Sequence, residues 1–166
     1  IELGLVGSEM CIRDRTNVTA LAASSLSDLG TLASSITDSE FSNATGLTTI
    51  AVSDTTVDAT TLAARIDSFD TINGGSSTTG MTLASGATIN VDAAEVTHML
   101  ADETDGRLTI SDQKITVTNE ITVDTANLLD ATTTGVVTAS IDTSETVDEL
   151  NTLTSVSYTH LRAHET

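Results

Sequence analysis

Two hydrophobic periods alternate along this chain. Val, Ile and Thr alternate with polar neighbours at period two over Leu47–Val52, Thr88–Val91, Arg107–Ile110, Lys114–Thr118, Ile121–Val123 and Val136–Ile141, which predicts strands. Between them the apolar spacing lengthens. Leu62, Ile66 and Phe69 fall at i, i+4 and i+7, and Val147, Leu150 and Leu153 share one helical face in the same way. Helices are predicted over Leu21–Leu32, Ala59–Phe69, Ala93–Ala101, Thr125–Ala131 and Ser144–Leu153. Gly46, Gly74, Gly75, Gly80, Gly86, Gly106 and Gly135 mark turns, and Asn73–Gly80 (NGGSSTTG) reads as a loop between units.

The pattern recurs. INVDAAEVTHMLADETDGRLTI from Ile89 and ITVDTANLLDATTTGVVTASI from Ile121 share an order of features: a short strand, an Asp with a small residue, a helical stretch, a turn with Gly, and a β-branched run. A weaker copy starts at Ile50 and a shorter one at Ala139. The aligned aspartates are Asp58, Asp92, Asp124 and Asp142, at spacings of 34, 32 and 18 residues. Units of this size bury an apolar face only by stacking on their neighbours. The predicted fold is an α/β repeat solenoid of strand–turn–short helix units with parallel strands. An all-β solenoid is the alternative.

Composition narrows the setting. The net charge is −18 and only six residues are Lys or Arg, so no basic patch exists for a nucleic-acid backbone, and an anionic membrane surface would repel the chain. Salt or divalent cations would screen the self-repulsion, which suits a cation-rich environment. Proline and Trp are absent, and Cys11, the single cysteine, allows no internal disulfide. No apolar run reaches the ~20 residues of a membrane span.

Both ends depart from this composition. Residues 1–15 (IELGLVGSEMCIRDR) and 156–166 (VSYTHLRAHET) hold Arg13, Arg15, Arg162, His160, His164, Cys11 and Tyr158, whereas residues 16–155 keep only Arg65, Arg107 and Lys114 as bases. GLVGSEMCIRDR and SYTHLRAHET resemble translated sequencing-adapter read-through. The expectation is a solenoid-like domain over 16–155 flanked by two artefactual ends, so no function is sought in Cys11, His160 or His164.

VDTANLLDATTTGVVTASIDTSETVDELNTL and INVDAAEVTHML resemble the Thr/Asp/Ala-rich tandem repeats of very large cell-surface or secreted, adhesin-like proteins of aquatic bacteria. The resemblance covers Ile50–Leu153. It implies an extracellular or surface location, a spacer, adhesive or matrix role, neighbouring repeats as partners, and often calcium. The chain departs from calcium-binding β-rolls in lacking GGxGxD nonapeptides.

The chemistry-bearing residues are few. Asp92-Ala-Ala-Glu95 and Asp142-Thr-Ser-Glu145 have capping-box spacing, and Asp58 and Asp124 fit the N-cap role without the Glu. Asp102, Glu103 and Asp105 before Gly106 form the one candidate calcium loop, because calcium takes six to eight oxygens, although EF-hand spacing is not met. His98 is the lone histidine of residues 16–155 and reads as a packed or surface residue. Thr116-Val117-Thr118 and Thr152-Leu153-Thr154 have the form of ice- or glycan-binding hydroxyl rows, without a repeat in register on neighbouring strands. No nucleophile elbow, phosphate loop, dinucleotide fingerprint or paired-Cys pattern occurs, and a non-enzymatic role is expected, with no cofactor beyond calcium.

Overall fold

The computed structural model describes residues 2–4, 20–35, 48–72 and 80–154. In chain order these form β1 (Glu2–Gly4), β2 (Ala20–Ala23), α1 (Leu26–Ser35), β3 (Thr49–Val52), β4 (Thr56–Asp58), α2 (Ala59–Ile72), β5 (Gly80–Leu83) and β6 (Thr88–Asp92). A 3-10 turn at Ala93–Glu95 follows, then α3 (Val96–Thr104), β7 (Leu108–Thr109), β8 (Lys114–Ile121), α4 (Val123–Thr132), β9 (Val137–Ile141) and α5 (Val147–Leu150).

The strands make two sheets, ordered β1-β2-β3-β5-β7 and β4-β6-β8-β9, and every pairing is parallel. From β3 to β8 the chain visits the first sheet, turns into the second, and returns through a helix; after α4 it re-enters the second sheet directly at β9. Parallel neighbours require such a crossover. In the first sheet Leu21, Ile50, Met81 and Leu108 sit side by side; in the second Val57, Ile89, Ile115 and Val137 do the same. All eight are buried. Each side chain buried in these ladders contributes about 1.5–3 kcal/mol. Leu62, Ile66 and Phe69 of α2 and Val96 and Met99 of α3 join the same core. The fold is α/β, with two parallel sheets and helices, and the all-β alternative does not hold.

Several boundaries differ from the sequence pattern. Leu21–Leu32 divides into β2 and α1: Ala and Leu favour helix, but Leu21 and Ala23 face the core beside Ile50 and Val52, and pairing overrides propensity. Thr56–Asp58 and Gly80–Leu83 are strands that the pattern misses, so α2 and α3 each follow two strands rather than one. Both are too short for period two to stand out, and Gly80 was read as the end of a loop whose residues 73–79 lie outside the described residues. Lys114–Thr118 and Ile121 belong to one strand, β8, interrupted by a register shift between Thr116 and Glu120. Asn119 takes φ 70° there, a conformation Asn tolerates better than most residues. Val123, predicted as strand, instead opens α4, because the Thr122 side chain accepts a hydrogen bond from Thr125 N.

The corners between sheets are polar and tight. Gln113 is buried; its Oε1 accepts from Ser111 N and Asp112 N at 2.7 and 3.2 Å, and its Nε2 donates to Ala84 O at 3.2 Å. Thr133 Oγ1 donates to Gln113 O at 2.6 Å and accepts from Gly135 N at 2.9 Å. A Cβ on Gly135 would collide with the backbone of Gln113 and Asp112. Gly135→Ala is therefore expected to lower stability by about 1–3 kcal/mol through overpacking against a rigid corner. Chemical denaturation checks this, and an unchanged midpoint would mean the corner is looser than described.

Candidate functional site

The carboxylates singled out in the sequence lie on α3 and on the turn that ends it. Val96, Met99 and Asp102 form the buried stripe of α3, so Asp102 faces inward from its helix. Gly106, at φ 73°, reverses the chain, and Arg107 N donates to Asp102 O at 2.8 Å. This reversal brings the Arg107 guanidinium back onto α3. Its Nη1 donates to Asp102 Oδ1 at 2.9 Å.

The same guanidinium reaches the preceding helix. Nη2 donates to Asp67 Oδ1 at 2.5 Å, and Nε lies 2.7 Å from Asp70 Oδ2, an ion-pair contact without a hydrogen bond. The other oxygen, Asp70 Oδ1, is buried with no hydrogen-bond partner among the described residues. His98 Nδ1 sits 3.8 Å from Asp102 Oδ2, one turn earlier on α3. Side-chain exposure falls from 60% at Asp67 to 14% at Asp70 and 3% at Asp102. Burial pushes the carboxyls of Asp70 and Asp102 above the usual aspartate range, and Arg107 only partly offsets it.

Glu103 is half-buried and Asp105 exposed. Asp105 caps the end of α3, its N–H donating to Ala101 O at 2.9 Å. The structure thus places Asp102 on Arg107, apart from the surface turn that holds Glu103 and Asp105. Among the described residues no group of three or more His, Cys, Asp or Glu is placed to hold a metal ion.

The repeated aspartates serve local backbone groups. Asp58 accepts from Thr61 N at 3.0 Å and Asp92 from Ala94 N at 3.0 Å, both at helix starts. Asp124 is instead inside the first turn of α4, behind the Thr122 cap. Asp142 accepts from Ser144 N at 2.8 Å in a turn, and the capping box falls one step later, on Thr146 and Glu149. Hydrogen bonds from Ser85, Ser144 and Thr146 hold the carboxyls of Asp112, Asp142 and Glu149, respectively, below the usual range.

Sequence spacing missed the carboxylates that act between passes of the chain. Asp54 Oδ2, just after β3, accepts from Leu26 N at the start of α1, and Glu145 Oε1 accepts from Val123 N at the start of α4. Both follow the rule that helix N-termini attract anions. The partners lie 28 and 22 residues away, so no local signal marks them. Arg107 offered a hint, as one of three bases in residues 16–155, but Asp67 is 40 residues upstream.

The Thr-x-Thr pair of β8 meets Thr on one neighbouring strand only, at a single position. Thr116 stands between Asn90 of β6 and Thr138 of β9, Thr118 is opposite Asp92, and Thr152–Thr154 lies outside the strands of the described residues. Among the described residues no helix is long and apolar enough to cross a membrane. No family model, no curated protein and no solved structure matches this chain.

Proposed function

We propose that the chain is a stretch of α/β solenoid acting as a non-enzymatic spacer or stalk within a large secreted or cell-surface protein. One observation carries this reading. Successive strand–strand–helix passes stack in parallel and in order, with apolar residues aligned from strand to strand. Stacking of this kind extends along one axis as passes are added, which is what a spacer needs. The polar work of the carboxylates supports it too: Asp54, Glu145 and the Asp67–Asp70–Asp102 group bind the backbone or side chain of a neighbouring pass. The adapter-like ends at 1–15 and 156–166 would then be foreign to the natural protein; Glu2–Gly4 stands at the edge of the first sheet, beside β2.

Calcium-dependent adhesion is the second reading, and Glu103 and Asp105 with the exposed side of the α3 turn are where it would begin. Circular dichroism of the chain, titrated with calcium and with sodium at matched ionic strength, separates the two. The spacer reading expects the same ordered spectrum and melting temperature in both salts. Order that forms only at low-millimolar calcium would transfer the assignment to a calcium-rigidified module. A spectrum without helix or strand in either salt would sink the stacked-pass reading altogether.

A further inference from the structure

The charges around Arg107 do not balance. One guanidinium faces Asp67 and Asp70 from α2 and Asp102 from α3, so two carboxylates lack a compensating charge while His98 is neutral. Arg offers five donors but a single charge in a fixed planar fork, and here its Nε makes no hydrogen bond to Asp70. The structure records the shortfall as the buried Asp70 Oδ1, which has no hydrogen-bond partner among the described residues. An ionised oxygen in that position has lost its water and gained no donor. Among the described residues, the charged and titratable groups facing Asp70 and Asp102 are Asp67, His98, Arg107 and each other.

We infer that the joint between α2 and α3 is a proton-binding site: on acidification it takes up one proton, shared between Asp70 and Asp102, and holds the two helices more firmly in mild acid than at neutral pH. The inference is independent of the spacer reading. Carboxyls raised above the ordinary 3.8 bind protons more readily folded than unfolded. Their contribution to stability is therefore complete below 3.8 and fades as pH rises through the folded value. Asp112, Asp142 and Glu149 behave oppositely: lowered by their hydrogen bonds, they stabilise above their ordinary values and lose that effect as pH falls. The joint and the caps thus pull the acid response in opposite directions.

The test compares thermal midpoints of the whole chain with those of Asp70→Asn, Asp102→Asn and His98→Gln, between about pH 7 and about pH 4, alongside a carboxyl-carbon NMR titration of the unaltered protein. Asp70→Asn is expected to melt above the parent at neutral pH, with the gap closing on acidification as the parent takes up its proton. At least one of the Asp70 and Asp102 resonances is expected to titrate clearly above 3.8. Both titrating at or below that value would overturn the inference, whatever the variants do. It would also fail if Asp70→Asn and Asp102→Asn left the acid dependence unchanged while His98→Gln removed it, since the histidine would then be the sensor.

Discussion

Arg107→Ala is expected to destabilise the chain by about 3–5 kcal/mol, the cost of leaving buried carboxylates without their partner. Asp102 and Asp70 keep little of their side chains in water, and both rely on this one guanidinium. The loss falls between α2, α3 and the turn into β7. For a domain whose whole stability is about 5–15 kcal/mol, that is a large share. A urea midpoint measured at neutral pH checks it. Adding Asp70→Asn to Arg107→Ala should restore part of the loss, because the two substitutions share one network and their effects do not add. A single variant that melts like the parent would mean that the carboxylates are solvated and that the joint does not close around Arg107.

Phe69→Ala comes next, with an expected loss of about 3–5 kcal/mol. Phe69 is fully buried, as are Leu62 and Ile66 on the same face of α2. The rest of the core cluster is Ala, Val, Leu, Ile and Met, so among the described residues no neighbouring ring can move in to fill the space. The ladder side chains are held by strand pairing, on both sides for Ile50, Met81 and Ile89, and cannot collapse far. Denaturant unfolding with an unchanged m-value would assign the loss to the cavity itself. Phe69→Leu should lose clearly less. A change within about 0.5 kcal/mol would place α2 off the core and would undo the account of the joint as well.

Some of this was legible from residue order. The face Leu62, Ile66 and Phe69 specified α2, and the alternation in Thr88–Val91 and Lys114–Thr118 specified β6 and β8. Asp58 and Asp92 were readable as caps because a cap serves backbone two or three residues away. Asp124 and Asp142 were misplaced for a related reason. The start of a helix depends on where the preceding strand leaves its register, and β8 extends past its bulge to Ile121, so Thr122 takes the cap. The run Asp102, Glu103, Asp105 marks a candidate calcium turn, but its pattern does not reveal that Asp102 falls on the inward stripe with Val96 and Met99.

Local chemistry was enough for the α/β character, for most strands and helices, and for the acidic net charge, because each depends on residues within a few positions or on composition alone. Long-range pairing decided the rest. Ala20–Ala23 became a strand because Ile50 and Val52 lie beside it, and the second strand of each pass formed where Val57 and Ile89 could share a ladder. The Arg107 cluster exists only because stacking brings Asp67 and Asp70 within reach of a side chain some forty residues later. Contacts at that separation cost loop-closure entropy that no local pattern encodes, and burial of the stacked core is what offsets it.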